Sequence, residues 1–200
     1  MEMEELDRQI LDRVYGAPEE EVFVSGDFLD LGDTYMVNQA LARLTRTGDL
    51  RRIVWGIYDR PERRIVPDLP PRKLERTALV LARCRRWQIV PYEDVALALL
   101  GLSDRVPEIW RFHTDGGKAA FQLGRQWLRF LPGESRWMGL DHSSAVVLQA
   151  LTAVGPQDLS QERLSAIQAA LTTEQRRRLL QDAGAAEAWI FQAVEQICRD

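Results

Sequence analysis

The 200-residue sequence is poor in the residues that build metal centres and disulfides, with two cysteines, Cys84 and Cys198, and two histidines, His113 and His142. They are too few and too scattered for a disulfide framework or a zinc finger. No apolar run approaches the ~20 residues that a membrane span needs, and the acidic start is unlike the basic start of a signal peptide. These absences predict a reduced, cytoplasmic protein without a metal centre or a membrane segment.

Clusters of catalytic residue types are missing as well. The run Asp141-His142-Ser143-Ser144 contains such types, but the members of a triad meet in space rather than in a row, so we interpret the run as a capped helix start. The run Asp115-Gly116-Gly117-Lys118 lacks the glycine spacing of a phosphate-binding loop and is interpreted as a turn. The sequence therefore predicts a protein that is not an enzyme and binds no cofactor.

What the chain does have is a strong asymmetry of charge behind a modest net charge of −4. Residues 1–42 carry eleven acids against two arginines, residues 43–86 carry thirteen bases against five acids, and residues 87–200 carry eleven bases against fourteen acids. A local positive field attracts phosphates whatever the charge elsewhere. The middle block is therefore predicted to contact nucleic acid, and the acids of the first block are expected to lie on the far side of the molecule.

Residues 1–61 carry the pattern of three helices and a hairpin. Apolar residues at spacings of three and four favour an amphipathic helix up to residue 16. A brief helix is expected over residues 26–31, and a third over residues 34–47, between a capping aspartate and a C-terminal glycine. Two β-prone runs around a glycine at residues 50–58 indicate a tight hairpin. This order of elements is typical of a winged helix-turn-helix DNA-binding domain.

The candidate DNA-binding residues lie on the third helix and in the hairpin. The helix side opposite the apolar stripe carries polar, aromatic and basic side chains around Ala42, whose small size permits close approach. Asn and Gln suit the edge of adenine, and Arg suits guanine or phosphate. One of Arg51 and Arg52, which alternate across a strand, is expected to face phosphate; Trp55 could enter a groove or pack on the first helix. The predicted set is Tyr35, Asn38, Gln39, Arg43, Arg46, Arg51, Arg52 and Trp55.

A proline-rich connector over residues 62–73 is predicted to separate this domain from an interaction domain at 74–200, because three prolines in five residues favour an extended link over a helix. In the second domain, Asp115-Gly116-Gly117 between alternating runs indicates a β-hairpin, and a third strand is expected near residues 127–131. Helical patterns fill residues 141–198. The fold class predicted is α+β, with a winged helix-turn-helix followed by a small antiparallel sheet and a helical C-terminal tail.

An ordered set of short segments extends over nearly the whole chain. The segments are Leu41-Ala42-Arg43-Leu44, Gly48-Asp49-Leu50, Arg52-Ile53-Val54-Trp55-Gly56-Ile57-Tyr58, Ile89-Val90-Pro91-Tyr92, Leu100-Gly101-Leu102-Ser103-Asp104-Arg105-Val106-Pro107, Thr114-Asp115-Gly116, Gln149-Ala150-Leu151 and Trp189-Ile190. In this order they resemble the AbiE-type antitoxins of type IV toxin–antitoxin systems, a phage-defence family with relatives known only as a domain of unknown function. The resemblance implies a transcriptional autoregulator that binds its own promoter and opposes a nucleotidyltransferase-like toxin. Its second domain would support homodimerisation, toxin engagement or both.

Two alternatives stay open. A winged helix can contact a protein in place of DNA, which would make the chain a protein-interaction adaptor of a defence system. A DNA contact through about six phosphates would lose roughly a thousandfold in affinity between about 50 and 200 mM salt, whereas an apolar protein contact would barely respond. The basic clusters Arg83–Arg86 and Arg176–Arg178 are expected to be solvated helix faces, with an acidic partner as the alternative.

Overall fold

A computed structural model describes residues 2–61 and 68–199, with side chains from residue 5 onward. The α-helices are α1 (Glu2–Gly16), α2 (Thr34–Thr47), α3 (Pro71–Arg85), α4 (Glu93–Leu99), α5 (His142–Val154), α6 (Gln161–Ala170), α7 (Thr173–Asp182) and α8 (Ala188–Cys198). The strands are β1 (Arg51–Val54), β2 (Ile57–Asp59), β3 (Ile89–Pro91), β4 (Ile109–Thr114), β5 (Ala119–Leu123) and β6 (Gln126–Pro132). Short 3-10 helices occupy Ser25–Phe28 and Ala183–Ala185. The chain is therefore a mixed α+β protein.

The chain divides into two compact units. The first unit comprises Met1–Leu81 and Phe121–Arg125, and the second comprises Ala82–Ala120 and Gln126–Asp200. The division falls within α3, later along the chain than the predicted start of the second domain at residue 74. Each unit is described separately below.

The predicted connector at residues 62–73 differs from the structure at its C-terminal end, while residues 68–70 are neither helix nor strand. Residues 62–67 lie outside the described residues. Pro71 begins α3, so residues 71–73 are helical rather than extended. A proline fits the first helical turn because its missing N–H would have no intrahelical acceptor there, and its fixed φ suits the helix.

The first unit is built around one apolar core between α1 and α2. Asp33 caps α2 by accepting a hydrogen bond from the Met36 N–H at 2.8 Å, and Gly48 ends the helix at φ 85°, which confirms both predicted ends. The brief second helix is a 3-10 turn rather than the longer helix expected, and it buries Phe28 but leaves Leu31 half-buried. The buried core is Leu6, Ile10, Val14, Phe23, Phe28, Val37, Ala40, Leu41, Leu44 and Leu50.

The predicted hairpin is confirmed. Strands β1 and β2 pair antiparallel, with Arg51 opposite Asp59 and Arg52 opposite Tyr58. Phe23 extends this small sheet, because its backbone N–H and C=O exchange hydrogen bonds of 2.7 and 2.8 Å with Tyr58. The hairpin is thereby anchored to the segment that follows α1.

In the second unit the strands β3, β4 and β6 are neighbours in that order, and their pairing corrects the predicted antiparallel sheet. Strand β4 pairs antiparallel with β3 but parallel with β6, so Asp115-Gly116-Gly117 does not join two paired strands. A Cβ atom added to Gly116 would lie 2.1 Å from the Trp87 ring nitrogen. The Asp115 carboxylate also accepts a hydrogen bond from the Gln88 N–H at 2.8 Å. The glycine therefore permits close packing on Trp87 rather than a hairpin turn.

The inner face of β4 and β6 forms the apolar core of the second unit through Trp110, Phe112, Leu128 and Phe130, which are fully buried. Helix α5 packs against α4 and β3, and α6 and α7 pack against α8. The helical tail predicted for residues 141–198 is confirmed. Within the described ranges, no helix combines the length and apolar character needed to cross a membrane.

Candidate nucleic-acid interface

One side of α2 turns polar and aromatic residues to solvent. We define the α2 face as Tyr35, Asn38, Gln39, Ala42 and Arg46, all of which are exposed. The opposite side is buried in the core of the first unit, so the helix cannot rotate to hide this face. The Tyr35 side chain is 73 % exposed. Four of the predicted DNA-binding residues thus share one accessible surface.

Arg43 lies at the edge of the α2 face and is held by α1. Its Nε and Nη2 atoms donate to the Asp7 carboxylate at 3.1 and 2.7 Å, and its side chain is only 25 % exposed. These hydrogen bonds raise the pKa of the Arg43 guanidinium. The expectation that the acids of residues 1–42 lie on the far side is wrong for Asp7, because α1 and α2 share a core and their facing edges are within side-chain reach.

In the hairpin, Arg51 turns inward and Arg52 outward. Arg51 donates two hydrogen bonds, of 2.9 and 2.6 Å, to the fully buried carboxylate of Asp59. The Nζ atom of Lys73, itself 1 % exposed, lies 2.9 Å from the same carboxylate. We call Arg51, Asp59 and Lys73 the buried ion network. It fixes the base of the hairpin, and sequence reasoning did not foresee it, although Lys73 is unusual as one of only two lysines in an arginine-rich chain.

The outward side of the hairpin carries Arg52 and Trp55. The Arg52 guanidinium lies 5.0 Å from the centre of the Trp55 ring, within cation–π distance. The Trp55 side chain is 87 % exposed, so it does not pack on the first helix. Of the two strand arginines, Arg52 is therefore the one available to an external ligand.

Ion pairs account for almost all the positive charge described in the first unit. The pairs within 4.0 Å are Arg8–Glu5, Arg13–Asp30, Arg43–Asp7, Arg51–Asp59, Arg60–Glu19, Arg72–Glu75, Lys73–Asp59, Arg76–Glu21 and Arg125–Asp68. Pairing also holds the pKa of Asp30 below its ordinary value, because Arg13 donates hydrogen bonds to it. Among the described residues of this unit, the bases without a carboxylate partner are Arg46 and Arg52.

The remaining candidates lie in the second unit. Asp141 accepts hydrogen bonds from the Ser143 and Ser144 N–H groups, which confirms that this run is a capped helix start. Arg177 and Arg178 pair with acids one turn away on α7, as expected of a solvated helix face. Across residues 2–61 and 68–199, no three His, Cys, Asp or Glu side chains are grouped to hold a metal ion.

Comparison with known proteins gives three findings. The chain is similar to the protein in the crystal structure of RV2827C from Mycobacterium tuberculosis, with 17% sequence identity, a TM-score of 0.38, and coverage of 98% of this chain and 74% of that chain. No curated protein matches the chain. The model of the Family of unknown function (DUF6088) matches residues 9–179, which is most of the sequence. The chain belongs to this family.

Proposed function

We propose that the first unit is a winged helix-turn-helix that binds double-stranded DNA through the α2 face and the hairpin tip. The protein would be a transcriptional autoregulator and the antitoxin of a type IV toxin–antitoxin system, opposing a nucleotidyltransferase-like toxin. The DNA-binding part of this proposal is supported mainly by the positions of two arginines that have no carboxylate partner. Arg46 and Arg52, the two described bases of the first unit without a carboxylate partner, lie on the two surfaces that such a domain would present to DNA.

Each side chain at these surfaces has a role in this proposal. Helix α2 would enter a major groove about 12 Å wide, with Asn38 and Gln39 reading base edges. Arg46 and Arg52 would contact phosphates, which supply affinity and fix the register of the protein on the duplex. The exposed ring of Trp55 would lie against the DNA beside Arg52. Arg43 would keep its ion pair with Asp7 and orient α2 rather than read DNA.

The antitoxin part is supported by the ordered resemblance of residues 41–190 to the AbiE-type antitoxins, and the second unit would engage the toxin. It is tested by expressing the product of the adjacent gene alone and together with this chain. We expect growth arrest by the neighbour alone and relief on co-expression. A neighbour without toxicity, or toxicity that this chain does not relieve, would refute the antitoxin part and leave the DNA-binding part standing.

The DNA-binding experiment measures affinity for the sequence upstream of the chain's own gene, against a scrambled duplex, across a salt series. Each lost phosphate contact lowers the slope of log affinity against log salt by about 0.9. The double variant Arg46→Gln/Arg52→Gln should therefore lower the slope by about 1.8. Asn38→Ala should instead reduce the preference for the upstream sequence, since a base-edge contact carries about 1–3 kcal/mol of discrimination.

The matched control for the double variant is Arg8→Gln. Arg8 is also an exposed arginine, but it lies on α1 and is paired with Glu5. It should leave both affinity and slope unchanged. Equal losses in the control and the double variant would mean that the long-range charge of the chain, not the α2 face, attracts DNA. No selective binding at low salt would reject the DNA-binding proposal.

The protein-interaction adaptor remains a second candidate because of the exposed apolar side chains of the first unit. Trp55, Tyr35 and Met36 are 87, 73 and 39 % exposed, and Trp, Tyr and Arg are the residue types enriched at the centres of protein interfaces. A protein contact made by these side chains would respond little to salt and would be lost in Trp55→Ala. Sequence-selective DNA binding whose salt slope falls by about 1.8 in Arg46→Gln/Arg52→Gln would favour the DNA-binding proposal over this one.

A further inference from the structure

The outer face of the second unit's sheet presents aromatic rings and arginines together. Along β4 and β6 the side chains alternate, so that the fully buried residues of the inner face are followed by half-buried or exposed ones on the outer face. The parallel register places Ile109 opposite Trp127, Arg111 opposite Arg129 and His113 opposite Leu131. We call these six residues, with Tyr92 beside them, the outer sheet face. From it we infer that the protein binds single-stranded nucleic acid there.

The rings of the outer sheet face are already held in stacked arrangements. The Tyr92 and His113 rings are 4.0 Å apart and nearly parallel, with 7° between their planes. The Arg111 guanidinium lies 4.9 Å from the centre of the Tyr92 ring, and the Arg129 guanidinium lies 5.6 Å from Trp127. A hydrogen bond of 3.0 Å from the Tyr92 N–H to the Arg111 carbonyl fixes the tyrosine beside β4. The flat groups are thus ordered before any ligand arrives, which lowers the entropic cost of binding.

The charge of the outer sheet face favours a phosphate-bearing ligand. Arg129 is exposed and has no carboxylate within 4.0 Å among the described residues. Arg111 pairs with Asp94 at 2.9 Å, but both side chains are more than 40 % exposed, so this pair stabilises little and can exchange for a phosphate. Burial lowers the pKa of His113, although Glu93 opposes the shift, so the imidazole contributes a stacking surface rather than charge near neutral pH.

An unpaired base is the occupant that fits these groups. Proteins that bind single strands combine a positive surface for the backbone with aromatic side chains on which bases stack, and open β-sheet faces serve this purpose. A duplex hides the faces of its bases within its own stack, so it cannot use Trp127 or His113 in this way. The inference does not rest on the proposed function, because the residues belong to the second unit and none lies on the α2 face or in the hairpin.

The experiment uses the full chain and fluorescein-labelled oligomers of about 12 nucleotides, one of uridylate and one of thymidylate, in a salt series from about 50 to 200 mM. The two arms distinguish RNA from DNA as the source of the single strand. Trp127→Leu, which keeps an apolar side chain but removes the ring, should weaken binding about tenfold. Arg129→Gln should lower the slope of log affinity against log salt by about 0.7, the value for one phosphate contact on a single strand. Arg105→Gln, an exposed arginine in a loop of the same unit, should change neither.

Four results would overturn the inference. The first is that neither oligomer binds the wild-type chain, which would favour a protein as the partner of the outer sheet face. The second is that Arg105→Gln weakens binding as much as Arg129→Gln does. The third is that Arg46→Gln/Arg52→Gln abolishes oligomer binding while Arg129→Gln does not, which would assign the binding to the first unit. The fourth is that Arg129→Gln leaves the slope of log affinity against log salt unchanged. This variant still tests the inference if Trp127→Leu does not fold.

Discussion

Replacing Asp59 by asparagine should destabilise the first unit strongly, because it removes the negative charge from the buried ion network. The Asp59 side chain has no accessible surface, and the Lys73 ammonium 2.9 Å away is 1 % exposed. Removing one partner of a buried ion pair costs about 3–5 kcal/mol, since the other charge cannot recover its hydration. That is a large fraction of the roughly 5–15 kcal/mol that stabilises a typical domain.

The structure also predicts how this cost divides between the two cations. The Arg51 side chain is 30 % exposed and can turn toward water, so Arg51→Gln should cost clearly less than Asp59→Asn. Most of the destabilisation in Asp59→Asn should come from the Lys73 ammonium, which stays buried without a counter-charge. Adding Lys73→Met to Asp59→Asn removes the buried ammonium as well, and apolar replacement of a buried ion pair is often neutral. The double variant should therefore be more stable than Asp59→Asn alone.

Urea denaturation measures these differences. With a slope of about 2 kcal/mol/M, a loss of 3–5 kcal/mol lowers the midpoint by about 1.5–2.5 M. Hydrogen exchange of the β2 amides assigns the loss to the first unit, which matters because the chain has two units. The control is Asp68→Asn, which removes an exposed pair with Arg125 and should shift the midpoint little. Equal shifts in the control and Asp59→Asn, or no recovery with Lys73→Met, would refute the reasoning.

Two further predictions concern the second unit. Gly116→Ala should lower stability by about 1–3 kcal/mol, because its Cβ would lie 2.1 Å from Trp87. Gly117→Ala, whose Cβ would lie an ordinary 3.5 Å from the same ring, should be nearly neutral, and thermal melts compare the two. Burial lowers the pKa of His113 below 6.5, so the unfolded chain binds a proton at this imidazole more readily than the folded chain does. The contribution of His113 to stability should therefore be complete above about pH 6.5 and should fall as the pH drops toward the folded-state pKa. His113→Gln should flatten this part of the pH profile; an unchanged profile would contradict the assignment.

Local signals predicted the elements of the fold well. The ends of α2 follow from an aspartate that accepts from the third helical N–H and a glycine that adopts positive φ, and both requirements are visible in the sequence. The first helix and the helical tail follow from the spacing of apolar residues, and the hairpin follows from two β-prone runs around a glycine. These features depend on contacts between residues a few positions apart, which is why the sequence alone predicts them.

The sequence does not predict which β-strands pair with one another or in which direction they run. The run Asp115-Gly116-Gly117 has the composition of a hairpin turn, yet β4 pairs in parallel with β6 and the glycine serves the approach of Trp87. Nothing in the alternation of residues 109–132 distinguishes parallel from antiparallel partners, because both place every second side chain on the same face. The proline-rich stretch differs from the prediction for a local reason. A proline is excluded from the interior of a helix but fits its first turn, and Pro71 begins α3.

The charge pattern shows most clearly what a linear count misses. The acidic block of residues 1–42 and the basic block of residues 43–86 neutralise each other in the fold, through Asp7–Arg43, Glu19–Arg60 and Glu21–Arg76. A surplus of eight positive charges in the middle block would predict a very steep salt dependence of DNA binding. Two unpaired described arginines predict a slope of only about 1.8 per chain, or roughly a tenfold loss between about 50 and 200 mM salt. A measured slope near that value would mean that the internal pairs persist on DNA; a much steeper one would mean that phosphates displace the acids from them.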